Sequence, residues 1–150
     1  DLHGYGEGML LGLGMEADEK DGAVEGMKLS MFDISDPSDV KETAKEDLTE
    51  YGYAGALYDY KEVLADQEKN LIGFLASGYD KTDKYRCDYL LYSYENGKVV
   101  QRMKMDCKEK GNVVGYIRGT YIGDSFYLLY EDGMVQKYSL DHGELAETLE

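Results

Sequence analysis

Tryptophan is absent from the 150-residue chain, proline occurs once (Pro37), and cysteine occurs twice, at Cys87 and Cys107. Basic residues are scarce: 16 Lys and Arg stand against 31 Asp and Glu, a formal charge of −15. A surface of that sign repels nucleic acid and anionic membrane surfaces, so neither is expected as a partner. Long apolar runs are missing as well. The longest, Met9 to Met15, has seven residues, too short for a membrane-spanning helix, so no membrane insertion by this segment is expected. No nucleophile elbow, Walker loop, EF-hand loop or metalloprotease helix occurs, which removes the local signatures of the enzyme classes that use them. The chain begins at Asp1 without a charged-then-apolar signal segment. The simplest expectation is a fragment or mature portion, whose compartment the sequence does not state.

What is present is a strand-forming composition. Hydrophobic residues make up 43% of the chain, too many for a disordered acidic polymer. The length allows a single domain, 1–150. Eighteen glycines separate short apolar runs, and 15 of the 18 aromatic residues are tyrosine. The runs are GMLLGLGM near Met9, VEGMKLSMFDI up to Ile34, DYKEVLA near Val63, NLIGFLAS near Phe74 and DYLLYSY up to Tyr94. They continue with KVVQRMKM near Val100, GYIRGTYI near Ile117, SFYLLY near Leu128, MVQKYSL up to Leu140 and ELAETL at the end. Asn96-Gly97, Asp132-Gly133 and His142-Gly143 are turn pairs that favour hairpins. Only Val40 to Leu48 leans towards helix, and an edge strand with charged residues on its solvent side is the alternative. The expected fold is therefore all-β and antiparallel.

Phe126 to Tyr130, Tyr89 to Leu91 and Met9 to Leu11 run apolar without alternation. Such strands are expected to be covered on both faces, as in a β-propeller blade packed between neighbours. A weak repeat agrees. MFDISDPSDVKE, YSYENGKVV and YSLDHGELAE each order an aromatic strand end, a polar turn and a more charged, outer strand, so that Phe32, Tyr92 and Tyr138 correspond. The units divide into an incomplete first blade of three strands (Gly8 to Leu48), a second of four (Leu57 to Lys108) and a third of four (Gly115 to Leu149). GYIRGTYIG is expected as an inner strand near the axis. About three blades do not close a ring, since propellers use about four to eight. The expectation is a partial propeller, or one that completes itself as a homo-oligomer through open blade edges.

YGEGMLLGLGME, GMKLSMFDISDPSDVKE, ALYDYKEVL and RGTYIGDSFYLLY together resemble the C-terminal end of the secreted β-propeller family, large Firmicute and archaeal proteins with an amino-terminal anchor or signal. The Phe32-Asp33-Ile34-Ser35-Asp36-Pro37 and Tyr121-Ile122-Gly123-Asp124 stretches are the more specific parts. The resemblance implies a C-terminal propeller fragment of a larger secreted or surface-anchored protein, distantly related to WD-type repeats, at an extracellular or cell-surface location. It implies no activity. Asp39 stands where a second proline often follows the SDP turn, and Tyr60 replaces the family's usual histidine, so any chemistry of that histidine is absent here.

Candidate sites are sparse. Gly6, Gly8 and Gly12 lack the spacing and the following helix of a dinucleotide loop, and tight strand packing is the better account. His3 and His142 have no ligand-spaced neighbours and are expected to be ordinary surface residues. Asp33, Asp36 and Asp39 share one loop. Their first reading is turn chemistry, and Ca²⁺, the only cofactor the sequence brings forward, is the second. Asp18, Glu19 and Asp21 with Lys20 read as a solvated loop. Glu7, Asp59 and Asp124 lie at expected strand ends, with structural roles expected ahead of acid–base work, and Arg118 is expected to pair with an acid. If Asn96-Gly97 is a two-residue turn, Cys87 faces Asp106 and Cys107 faces Arg86. A single β-bulge would bring the cysteines together, leaving a disulfide or two buried thiols open. Tyr51, Tyr53, Tyr58 and Tyr60 form a cluster that serves either blade packing or a ligand surface for protein, peptide or glycan.

The function expected first is a non-catalytic extracellular binding or scaffolding domain. The alternatives are part of a surface carbohydrate-active hydrolase, or a purely structural self-associating module.

Overall fold

Glycine-punctuated runs of tyrosine, leucine, methionine and valine favour pleated, half-buried backbone over helix. In the computed structural model, which describes residues 1–79, 82–107 and 116–149, these runs form three sheets. Sheet 1 contains β1 (Leu2–Gly4), β2 (Met9–Ala17), β3 (Val24–Asp33) and β4 (Lys41–Leu48). Sheet 2 contains β5 (Leu64–Asp66), β6 (Leu71–Tyr79), β7 (Tyr85–Glu95) and β8 (Lys98–Asp106). Sheet 3 contains β9 (Ile117–Ile122), β10 (Ser125–Tyr130), β11 (Val135–Ser139) and β12 (Leu145–Leu149). Each is a four-stranded antiparallel meander with its strands in sequence order, and the set does not close into a ring.

The repeat is placed as expected: Phe32, Tyr92 and Tyr138 lie on β3, β7 and β11, the third strand of each sheet. Val40 to Leu48 resolves as the edge strand β4, exposed along most of its length. Asn96 and Gly97 have φ of 53° and 73°. Those are the two positive values of a type I′ turn, which asparagine and glycine tolerate best. One count is corrected. The first sheet has four strands, because Leu2–Gly4 pairs with Leu10–Gly12; three residues are too few to show a period in sequence.

The core forms on the two faces of sheet 2. Along β6 and β7, Ile72, Phe74, Leu90 and Tyr92 pack against Leu11, Leu13, Met27, Leu29 and Met31 of sheet 1. The alternate residues Leu71, Tyr89 and Leu91 pack against Ile117, Phe126 and Leu128 of sheet 3. The unbroken apolar run in β7 is thus buried from both sides, each large side chain contributing about 1.5–3 kcal/mol. The same expectation for Phe126 to Tyr130 is met on one face only: Phe126, Leu128 and Tyr130 are buried, but Leu129 is 42% exposed. Among the described residues, no further sheet lies against the outer side of sheet 3, and sheet 1 likewise leaves Leu10 and Phe32 half-buried.

Polar ties cross the sheets. Tyr5 of sheet 1 donates its hydroxyl to Asn70 Oδ1 at 2.6 Å, and Asn70 in turn bonds both the carbonyl and the N–H of Tyr94. Tyr121 of sheet 3 donates to Asp66 of sheet 2 at 2.6 Å. The β7–β8 register shifts between Leu91 and Tyr92, leaving Arg102 as the bulged residue. Its guanidinium donates to Ser93 Oγ (3.2 Å) and reaches the Leu140 carbonyl of sheet 3 (3.4 Å).

Gly119 of sheet 3 packs tightly against Tyr89 of sheet 2. A Cβ there would collide with the Tyr89 hydroxyl and the Phe126 ring. Gly119→Ala is expected to lower stability in urea titration by about 1–3 kcal/mol through overpacking. Gly14→Ala, with nothing within 4 Å of its added carbon, is expected to change it by under about 0.5 kcal/mol.

Candidate functional site

The β4–β5 connection is long but well held. Gly52 and Tyr53 both donate their N–H to the Ser77 carbonyl, at 3.0 and 2.9 Å, and the Tyr53 carbonyl accepts from Ser77 at 2.8 Å. Gly78 allows this approach, because a Cβ there would lie 2.5 Å from the Gly52 nitrogen. Two 3₁₀ turns follow, Gly55–Leu57 and Tyr60–Glu62, the second capped by Asp59, whose carboxylate accepts from the Lys61 N–H at 3.0 Å. The connection therefore roofs a cleft between sheets 2 and 3.

That cleft has a volume of about 340 Å³ and is lined by Tyr53, Glu62, Tyr85, Cys87, Tyr116 and Glu131, among others. It lies at the small end of the range in which proteins hold small ligands. Ring packing sets the aromatic walls. Tyr53 stacks on Tyr58 at 6.0 Å between centroids, and Tyr85 meets Tyr79 at 5.3 Å. The Glu62 carboxylate lies directly against Gly55, where a side chain would displace it. Burial, with the Asp59 charge beside it, holds the Glu62 carboxyl above its usual range, while Arg118 opposes the shift. Arg118 donates to the Lys61 carbonyl at 2.9 Å and lies over the Tyr116 ring at 5.8 Å. Its hydrogen bond is thus to backbone, where an acid was expected. Glu131 accepts from the Tyr116 N–H at 3.3 Å.

The other residues singled out by sequence fall elsewhere. Tyr51 does not belong to a surface: it is 1% exposed and donates to Asp88 Oδ2 at 2.6 Å. Its ring turns into the core between sheets 1 and 2, while Tyr53, Tyr58 and Tyr60 stay exposed on the roof. Asp33 and Asp36 each accept from the N–H and hydroxyl of the serine two residues on, and Asp39 pairs with Lys41 at 3.0 Å. These bonds hold the Asp33 and Asp36 carboxyls below their usual range. Among the described residues, no three His, Cys, Asp or Glu side chains are grouped to hold a metal ion. Glu7 lines a separate groove of about 300 Å³ with Tyr5, Gln67 and Asn70. Asp59 caps its turn, and Asp124 lies 4.0 Å from Lys69. The three acids do not line one cleft. His3 contacts Asp1 at 3.0 Å, and His142 lies in the β11–β12 turn.

The cysteines are opposed. Beyond the bulge, Asp88 faces Asp106, and the Cys107 N–H donates to the Cys87 carbonyl at 2.9 Å. Both are buried free thiols, and burial pushes Cys87 up to about 12 and Cys107 up to about 11.

Chain order already points to stacked meanders, and comparison with known families agrees: a family model described as a beta propeller domain matches residues 2–142. The chain belongs to the beta propeller domain family. Comparison with the curated proteins finds no match. In propeller terms the three sheets are blades, β1, β5 and β9 are at one edge of each, and the exposed β4 and β12 are at the opposite edge. The cleft opens between the second and third blades.

Sequence reasoning found Tyr53 but not the partners it meets. Glu62, Tyr116 and Glu131 come from three connections spread over 70 residues of chain, and no spacing rule links them.

Two outcomes follow from this geometry. Tyr51→Phe removes the hydroxyl donor to Asp88 Oδ2 and leaves that buried oxygen with Arg86 Nε at 3.5 Å. It is expected to cost about 1–3 kcal/mol in chemical denaturation, whereas Tyr53→Phe on the roof is expected to cost under about 0.5 kcal/mol. For Glu62, a raised folded-state pKa means that the fold binds the proton more tightly than the unfolded chain does. The resulting stability is present at acid pH and is lost as pH rises through the folded pKa. Glu62→Gln is therefore expected to flatten the decline of melting temperature above about pH 4.3 and to melt higher than the parent at neutral pH.

Proposed function

We propose that this propeller domain is a non-catalytic binding module on the outside of the cell, and that its ligand seats in the cleft between the second and third blades. The cleft's construction carries this reading: fixed aromatic walls under a roof tied to Ser77 by three backbone hydrogen bonds. Preformed concave sites of mixed aromatic and polar lining are how folds usually hold ligands. While it is reduced, the thiol in the cleft, Cys87, is pushed up to about 12, which keeps it protonated and a weak nucleophile at neutral pH. The exterior placement rests on the resemblance to secreted propellers.

One observation favours a second reading. Glu62 and Glu131 line the same cleft, and paired carboxylates beside aromatic platforms also serve glycoside hydrolysis. Glycan and peptide arrays probed with the domain, followed by product analysis of each ligand bound, separate the two. The expected result is binding that Tyr53→Ala and Tyr116→Ala both reduce, with every ligand recovered intact. A cleaved glycan assigns the cleft to hydrolysis, and binding indifferent to both variants removes the cleft from function.

The cysteines report on the compartment. Outside the cell, Cys87 and Cys107 are expected to close across β7 and β8 by exchange with an oxidised low-molecular-weight disulfide. One thiolate displaces a thiol from the oxidant, the second thiolate resolves the mixed disulfide, and the oxidant leaves as two thiols carrying the electrons and protons. Intact mass measured without reductant on protein from its native host tests this. Recovery of both cysteines as alkylatable thiols overturns it.

A further inference from the structure

We propose that the cleft between the second and third blades is a seat for a primary ammonium group, carried by an alkylamine or by a lysine side chain. This rests on the reading of the cleft as the ligand seat and names the chemistry of what enters it.

The aromatic rings come first. Tyr53, Tyr85 and Tyr116 line one volume of about 340 Å³, and a tyrosine face attracts a cation held within about 6 Å of its centre. Rings at this end of the molecule already do so internally: Lys61 lies 5.8 Å from the Tyr60 centroid, and Arg118 lies 5.8 Å from that of Tyr116. Stacking of Tyr53 on Tyr58 and packing of Tyr85 on Tyr79 hold two of the walls before any ligand arrives, so little side-chain order is lost on binding.

The acids come second. Glu62 and Glu131 line the same cleft, and ionised carboxylates are acceptors only. An ammonium group is their complement, with three donors and no acceptor. A neutral sugar presents hydroxyls that both donate and accept, so it complements the two carboxylates less completely. Glu62 accepts no hydrogen bond from a described residue, and its carboxyl holds its proton above the usual range because burial and Asp59 oppose its charge. A cation in the cleft adds to the relief that Arg118 already gives. The nearby guanidinium of Arg118 is engaged with the Lys61 carbonyl at 2.9 Å.

Net charge supplies the third argument. At −15 the domain draws cations towards it over distances set by the ionic strength and repels acidic competitors.

Titration calorimetry with the propeller domain tests the proposal using n-butylamine, a lysine-containing peptide, the same peptide with its lysine acetylated, and maltose. Butylamine and the lysine peptide are expected to bind. Acetylation is expected to weaken the peptide by about tenfold or more, as is Glu62→Gln for both amines, the scale of one lost charge-assisted hydrogen bond. Circular dichroism and melting temperature confirm that Glu62→Gln is folded. Equal binding of the free and acetylated peptides, or of parent and Glu62→Gln, overturns the ammonium seat. If maltose binds in a manner that Tyr53→Ala abolishes while the amines do not bind, the ammonium inference falls and the binding reading stands. If no ligand depends on Tyr53 or Glu62, both fall.

Discussion

The central strands β6 and β7 of sheet 2 are covered on both faces, and the rest of the fold is arranged around that fact. These strands send alternate side chains into two separate cores, Ile72 and Phe74 towards sheet 1 and Leu71 and Tyr89 towards sheet 3. Neither outer sheet could be removed without exposing a face made of leucine, isoleucine and aromatic rings. Hydrophobic burial of that extent dominates the favourable side of folding, and it dictates where hairpins turn and where connections run. The cleft follows from the same constraint. Two twisted sheets packed face to face diverge towards their ends, and the β4–β5 connection bridges that divergence without filling it.

Tyrosine is the residue that makes both parts possible. Buried between sheets, its ring supplies apolar area while its hydroxyl finds a fixed partner: Tyr5 on Asn70, Tyr51 on Asp88 and Tyr121 on Asp66. The Tyr5 and Tyr121 bonds run between neighbouring blades and the Tyr51 bond ties the β4–β5 connection to sheet 2, so they resist sliding of one blade over the next in a way that leucine contacts do not. On the roof, the same residue type leaves its ring face open and its hydroxyl in water. A chain with 15 tyrosines and no tryptophan thus uses one side chain for inter-blade bonding and for the walls of the cleft.

Much of the architecture is legible in the sequence. Phe32, Tyr92 and Tyr138 marked the third strand of each unit because a repeated supersecondary unit repeats its burial pattern. Asn96-Gly97 marked a hairpin because few residue pairs accept two positive φ values. The opposed cysteines were legible to within one residue, and the bulge at Arg102 supplied that residue. Local rules failed where burial depends on a neighbour. Tyr51 and Tyr53 are two residues apart and look alike in sequence, yet one is sealed in the core and the other is 53% exposed. The run from Phe126 to Tyr130 looks buried on both sides, but only one side has a sheet against it. β1 escaped notice because a strand of three residues has no period to detect.

What the sequence determined by itself is the list of strands other than β1, their antiparallel order and the outward placement of charged β4 and β12. Those properties depend on side-chain alternation and turn stereochemistry within a few residues. Only the tertiary structure decided which tyrosines are buried, that Cys87 lies opposite Cys107, and that Glu62 and Glu131 line one cleft with Tyr53, Tyr85 and Tyr116. Those groups are distant along the chain, and they meet because two sheets bury their apolar faces against each other. No local pattern encodes that meeting.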